Sequence, residues 1–237
     1  MTRPPQKSKT RKPGGGDRQL HVRVKTAAKR TTSSQRWLQR QLNDPYVAAA
    51  NAQGLRSRAA FKLIELDDKL KVLKPGARVV DLGAAPGGWT QVAVDRVRAL
   101  DGRGQVIALD IIEMEELAGA EVIQLDFMAD EAPDVLRARL RDGAADVVLS
   151  DMAAPTTGHA KTDHLRIMGL AEAAAQFAED VLTPGGAFVC KVFQGGTERD
   201  LLNALKAAFS TVRHIKPPAS RSDSSELYVA ATGFRRR

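Results

Sequence analysis

Apolar positions recur along this chain at two different periods. Between Ser57 and about Leu73 they fall at Ala59, Leu63, Leu66, Leu70 and Leu73, in alternating steps of four and three. That spacing lays one apolar stripe along a helix, with Ser57 as its expected N-cap. A helical lead-in of mixed polarity, Trp37 to about Gln53, precedes it. From residue 77 the texture changes. Short β-branched runs (ARVVDLG 77–83, GQVIALD 104–110, EVIQLD 121–126, ADVVLSD 145–151, AFVCKVF 187–193) alternate with helical stretches that begin near Thr90, Ala132, Ile167 and Arg199. Strands alternating with helices predict an α/β fold with a parallel, doubly wound sheet. Two more runs, TVRHIKP (211–217) and ELYVAATGF (226–234), are joined by the loop-like PPASRSDSS and should pair antiparallel. The expected sheet therefore has seven strands, mostly parallel, with an antiparallel final strand.

Such sheets bind ligands beyond the carboxyl ends of their strands. Here each of the first four runs closes on an aspartate, at Asp81, Asp110, Asp126 and Asp151, and the fifth carries Lys191 near its end. Aspartate is a poor strand residue. One such residue is explained by a turn or a helix cap; four in this arrangement point to a ligand site.

Charge adds a second feature. The 237-residue chain has a net charge of +8, yet residues 1–36 hold eleven Lys or Arg against the single acid Asp17. The basic character belongs to a leading segment rather than to the folded body. Residues 1–33 also contain KPGGG and few large apolar residues, so they are expected to be a disordered tail that contacts a polyphosphate, with residues 34–237 as a single domain. A merely solubilising tail is the alternative. The lone Cys190 excludes an internal disulfide, and no apolar run approaches the roughly 20 residues of a membrane helix. These features predict a cytoplasmic protein with no membrane contact and no secretory signal. His159 and His164 have only Asp163 beside them, so no metal is expected. Cys190, Phe188 and Phe193 read as core.

After Asp81 the chain runs Gly83, Ala84, Ala85, Pro86, Gly87, Gly88, Trp89 and then into a helix. Small residues let backbone turn sharply and approach a ligand closely. The dinucleotide fingerprint is not met, because Ala85 stands where the middle glycine belongs, and Pro86 removes a donor that a pyrophosphate would use. The loop suits a ligand without phosphates there, such as the methionine part of S-adenosylmethionine. Asp110 is then placed for ribose hydroxyls and Asp126 for the adenine amino group. Trp89 is either a cover for the cofactor or core packing.

With these residues in place, the sequence resembles the FtsJ/RrmJ ribose 2′-O-methyltransferases. The matching segments, in the family's order, are RWLQRQLNDPYV (36–47), GLRSRAAFKL (54–63), VVDLGAAPGGW (79–89), SDMAAP (150–155), CKVFQG (190–195) and SSELYVAATG (224–233). The resemblance implies a Rossmann-like methyltransferase fold and S-adenosylmethionine contacts at Gly87, Trp89, Asp110, Asp126 and Asp151, to which the loop adds Asp81, Gly83, Pro86 and Gly88. It implies a catalytic set that falls on Lys62, Asp151, Lys191 and Glu226. It also implies ribosomal RNA of the large subunit as the substrate, with a uridine ribose as the methyl acceptor and transfer RNA as the alternative, and a monomeric enzyme. The basic segment departs from shorter family members.

The chemistry fits these residue types. Methyl transfer to a ribose hydroxyl needs in-line alignment, a place for one proton and positive charge beside the nascent alkoxide. Lys191 lies inside an apolar strand, where an unpaired ammonium is costly. It is assigned the central role, orienting the hydroxyl and taking its proton or stabilising the oxyanion, with Asp151 and Glu226 holding it. Lys62 is the weaker case, on the flank of its helix's apolar stripe. Yet Arg56, Arg58 and Lys62 crowd a helix start, opposing the helix dipole by ~0.3 kcal/mol or more each. A contact with RNA phosphate explains that cost, and Arg221 is expected to serve similarly. A nicotinamide oxidoreductase and a catalytically silent RNA-binding module remain the alternatives from other classes.

Overall fold

A computed structural model describes residues 31–155, 157–193 and 199–235. Most of the basic segment, residues 1–30, lies outside the described residues, and with it the expectation of a disordered tail. The chain divides into two units, Met1–Gly54 and Leu55–Arg237. In the first, the expected single lead-in is two helices, α1 (Thr32–Leu42) and α2 (Pro45–Ala52). The break is chemical: Asn43 closes α1, the Asp44 carboxylate caps Tyr46 N–H, and Pro45 opens α2, where its missing N–H costs nothing.

The second unit is a seven-stranded sheet in the order β3-β2-β1-β4-β5-β7-β6. Its strands are β1 (Arg78–Leu82), β2 (Gln105–Asp110), β3 (Glu121–Gln124), β4 (Ala145–Ser150), β5 (Leu182–Phe193), β6 (Phe209–Ile215) and β7 (Glu226–Phe234). Strands β1 to β5 pair in parallel, and β7 pairs antiparallel with both β5 and β6. The fold expectation is met. Order reverses between β1 and β4, which opens a crevice at their carboxyl ends.

Period-two alternation sorts the strand side chains onto two faces. Val80, Leu82, Val148, Phe188 and Cys190 pack on α5 (Ala132–Arg139), α6 (Ala160–Val181) and α7 (Arg199–Ala208). Val79, Leu149, Val189, Tyr228 and Ala230 pack on α3 (Ala59–Leu70) and α4 (Gly88–Val97). Asp81 and Lys191 continue this second set along β1 and β5. Asp151 follows it past the end of β4, and Glu226 leads it into β7. Two boundaries differ from expectation. Helix α6 starts at Ala160 rather than near Ile167, since its polar first turns carry no apolar stripe that would mark them in the sequence. Helix α3 starts at Ala59 without a side-chain cap, and the Ser57 hydroxyl is buried without a hydrogen-bond partner.

Candidate active site

At the carboxyl edge of β1 and β4 the chain leaving β4 is tied to β1 by Asp151 N–H donating to Leu82 O at 3.0 Å. That bond sets the Asp151 carboxylate over the α3 face. Lys191 reaches it from β5, donating to Asp151 O at 2.6 Å with Asp151 Oδ1 at 3.2 Å. In the antiparallel ladder Lys191 lies opposite Tyr228, and Phe193 opposite Glu226. Lys191, Tyr228 and Glu226 therefore project from one face. Lys62 meets them from α3 in a two-pronged pair with Glu226, at 2.7 and 2.8 Å to the two carboxylate oxygens. Both lysines are nearly buried, Lys62 at 8 % and Lys191 at 7 % exposure. Lys62, on the flank of its helix's apolar stripe, is therefore not a solvated surface lysine.

Tyr228 joins the two ion pairs, and the sequence reading had not singled it out. Its hydroxyl lies 2.8 Å from Asp151 Oδ1 and 3.3 Å from Glu226 Oε1. Burial, and then the charges of Asp151 and Glu226, hold the phenol well above its ordinary value, so it remains a donor. The ring lies 5.5 Å from Trp89 and 5.8 Å from the Lys62 ammonium. The result is one continuous network, Lys191–Asp151–Tyr228–Glu226–Lys62, in which two cations balance two carboxylates. Period two on β7 was the signal available in the sequence: whatever Glu226 faces, Tyr228 faces too.

Asp81 is fully buried beside this network. It accepts from Thr90 Oγ1 at 2.7 Å, while its Oδ1 has no partner. Burial first, opposed by the Thr90 bond and reinforced by Asp151 and Asp110, pushes its carboxyl up to about 7. Asp110 shapes the glycine loop, accepting from Ala85 N–H at 2.8 Å and from Ile112 N–H at 2.8 Å. Asp126 is exposed and accepts from Met128 N–H at 2.9 Å. Gly83 and Gly87 have φ of +76° and +102°. A Cβ at Gly83 would sit 2.8 Å from the Met152 backbone, and one at Gly88 2.2 Å from Ser57 Oγ. Pro86 lines a cleft of about 510 Å³ with Ala85, Arg56, Ile112 and Met114. These residues fit a cationic nucleoside such as S-adenosylmethionine. A corner made of Asp81, Asp110 and Asp151 would repel a pyrophosphate and attract a sulfonium and an ammonium.

Three expected contacts are placed differently. The Trp89 ring is core: it is 2 % exposed and its indole N–H donates to Ala59 O at 2.9 Å. Arg56 was expected on RNA phosphate, but its guanidinium donates to Glu115 O at 2.7 Å and Glu116 O at 2.5 Å, clamping the segment after β2 across the glycine loop. Gly87 makes room for it, since a Cβ there would meet Arg56 at 2.9 Å. Arg58 donates to Ala219 O at 2.6 Å, and Ala219 N–H donates to Glu65, so α3 pins the loop before β7 from both sides. Arg221 lies in that loop, partly exposed. Burial pushes the Cys190 thiol up to about 12, which leaves it inert core. Among the described residues no group of three or more His, Cys, Asp or Glu is placed to hold a metal, and no helix is long and apolar enough to cross a membrane.

The sequence profile described as FtsJ-like methyltransferase matches residues 55–234, which span every element of the network. The chain belongs to the FtsJ-like methyltransferase family. It is an enzyme of the methyltransferase class, and the oxidoreductase and silent-module alternatives fall away. It is 65 % identical over 225 residues to the ribosomal RNA large subunit methyltransferase E of Paramagnetospirillum magneticum, covering 94 % of this chain and 92 % of that protein. The protein of the same name from Rhodospirillum rubrum is 66 % identical over 221 residues, covering 93 % and 84 %. Among solved structures, a ribosomal RNA methyltransferase from Plasmodium falciparum superposes with a TM-score of 0.67 at 31 % identity, covering 76 % of this chain and 98 % of that one.

Proposed function

We propose that this enzyme transfers the methyl group of S-adenosylmethionine to the ribose 2′-hydroxyl of a uridine in large-subunit (23S) ribosomal RNA. The observation that carries the chemistry is the charge-balanced network from Lys191 to Lys62 at the mouth of the β1/β4 crevice. The substrate rests on the relatives, whose printed names specify large-subunit ribosomal RNA; none of those cited supports transfer RNA. Asp81, Asp110, Asp126 and the turn at Gly83, Pro86, Gly87 and Gly88 hold the cofactor. When bound, it supplies a methyl on a sulfonium whose positive charge vanishes on transfer.

The chain's own residues do the rest. Lys191 has N–H capacity beyond its bonds to Asp151 and turns it toward the 2′-oxygen, steadying the negative charge that builds there. The hydroxyl proton given up as the 2′-oxygen becomes a nucleophile would pass into the Lys191–Asp151 pair. Lys62, held by Glu226, supplies a second cation toward the ribose and its phosphate. Tyr228 fixes the spacing of the two pairs. Arg221 provides an RNA contact from the loop before β7, and residues 1–33 a long-range electrostatic one. The setting is the cytoplasm. Lys191→Ala should lose at least ~10²-fold in methyl transfer to unmethylated large subunits. Full activity in that variant would overturn the mechanism. Mapping of ribose methylation in RNA from cells with and without the enzyme tests the substrate.

A further inference from the structure

A second cleft, of about 760 Å³, opens at the opposite end of the same sheet face. Its floor is made of Ala77, just ahead of β1, and the small strand residues Val147, Ala187 and Ala230, and its rim carries Lys69, Lys71, Lys74 and Arg213. The one acid in its lining, Asp146, is already held by the Arg78 guanidinium, with both carboxylate oxygens at 3.0 Å. Lys71 has only a loose exposed partner, Asp68 at 3.7 Å. Lys69, Lys74 and Arg213 have no carboxylate partner among the described residues. Cations at the end of α3 complement its dipole, which accounts for Lys69 and Lys71. Lys74, beyond the helix, and Arg213, on the edge strand β6, gain nothing from it. The concentration is local: residues 37–237 contain 25 Lys and Arg against 27 Asp and Glu.

We propose that this cleft binds the phosphodiester backbone of the substrate RNA at a second point, a few nucleotides from the methylated ribose. This rests on the RNA-methyltransferase reading above. Four residues of β5 separate Ala187 on the floor from Lys191 in the active site, and four of β7 separate Ala230 from Glu226, roughly 13 Å in each case. Helix α3 runs beside both, with Lys62 at one end and Lys69 at the other. An RNA strand that places its ribose at the network can therefore follow α3 to the cleft. A floor of alanines and valine lets a sugar–phosphate chain approach, and unpaired cations at the rim neutralise it with counterion release. The cleft is larger than a lone phosphate requires.

The test is the full-length enzyme carrying Lys69→Glu, Lys74→Glu and Arg213→Glu, with the corresponding glutamine triple as a second variant. The probes are purified large-subunit ribosomal RNA and large subunits from cells lacking the enzyme. The expected result is a KM for RNA raised about 10-fold or more, a log–log salt slope of RNA binding reduced by about 2, and kcat and S-adenosylmethionine affinity within about 2-fold of wild type. An intermediate effect is expected for the glutamine triple, which decides the matter if the glutamate triple melts early. An unchanged KM and salt slope in either folded variant overturns the proposal. Weakened binding to intact subunits with unchanged binding to naked RNA also overturns it, in favour of a ribosomal protein as the partner. If the wild-type enzyme methylates neither probe, the substrate assignment has failed, while the salt slopes still decide the cleft.

Discussion

Folding buries the Asp81 carboxyl completely, and that burial, with Asp151 and Asp110 near it, raises it from its ordinary 3.8 to about 7. Below pH 4 the native and unfolded chains both hold this proton. As pH rises the unfolded chain releases it first, so stability falls until the native carboxyl also ionises near 7. Asp81→Asn removes the effect. In urea titrations the variant should gain on the wild type by up to about 1.4 kcal/mol per pH unit between pH 4 and 7, then level off. Calorimetry should show the same variant binding S-adenosylmethionine more weakly, because the corner has lost a charge; a gain in stability with undiminished cofactor affinity would make Asp81 a purely structural residue. Tyr228→Phe isolates the bridging hydroxyl. It should cost about 1–2 kcal/mol of stability and lower kcat while KM for RNA holds. Both ion pairs should survive it, and an unchanged kcat would mean that they need no tie. Lys191 beside Asp151 was readable from residue chemistry and resemblance, whereas Glu226, expected to hold Lys191, pairs with Lys62 instead. Arg56 and Arg58 donate to carbonyl oxygens 59 and 161 residues away, contacts that the sequence does not show, because a cation at a helix start looks the same whether it meets a carbonyl oxygen or a phosphate.

Between elements, the glycine turn is held as much by what crosses it as by its own conformation. Gly83 combines a left-handed φ of +76° with a neighbouring backbone, Met152, that has no rotamer by which to withdraw. Gly83→Ala should therefore cost about 2–4 kcal/mol, read as a lower urea midpoint, and should abolish cofactor binding at temperatures where the sheet is still folded. Retained binding in a folded Gly83→Ala protein would show that the turn can shift. Strand positions were readable because β-branched runs end on polar residues, and β1, β2, β4 and β7 lie within a residue or two of their runs. Strand β5 extends back to Leu182 through Pro184, Gly185 and Gly186, which carry no strand propensity and span the register shift between the Ala145–Leu182 and Val147–Ala187 pairs with β4. The division of the lead-in at Asn43–Pro45 was written in the Asp–Pro pair but masked by the apolar residues on both sides.

For the whole molecule, charge and chemistry are separated along the chain. Residues 1–36 carry eleven basic residues, whereas the body is close to neutral and reserves its buried lysines for Asp151 and Glu226. Deletion of residues 1–33 should weaken ribosomal RNA binding and flatten its salt dependence, with kcat at saturating RNA unchanged. Anisotropy titrations across a salt series check this, and an unaltered slope would return the segment to a role in solubility. The doubly wound topology was inferable from alternation alone. The second cleft was not, because Lys69, Ala187 and Arg213 come from three elements, and Lys74 from the loop after α3, whose adjacency only the fold creates.

The order β5-β7-β6 has a consequence in time. Strand β6 is synthesised before β7 but has no neighbour in the sheet until β7 slides between it and β5. The same strand delivers Glu226 to a lysine 164 residues upstream. A nascent chain can thus complete the cofactor crevice early and still lack Tyr228, the Glu226 anchor and one side of its sheet. Catalytic competence arrives with β7, so any chain cut short before residue 226 should be inert and should expose the bare edge of β5.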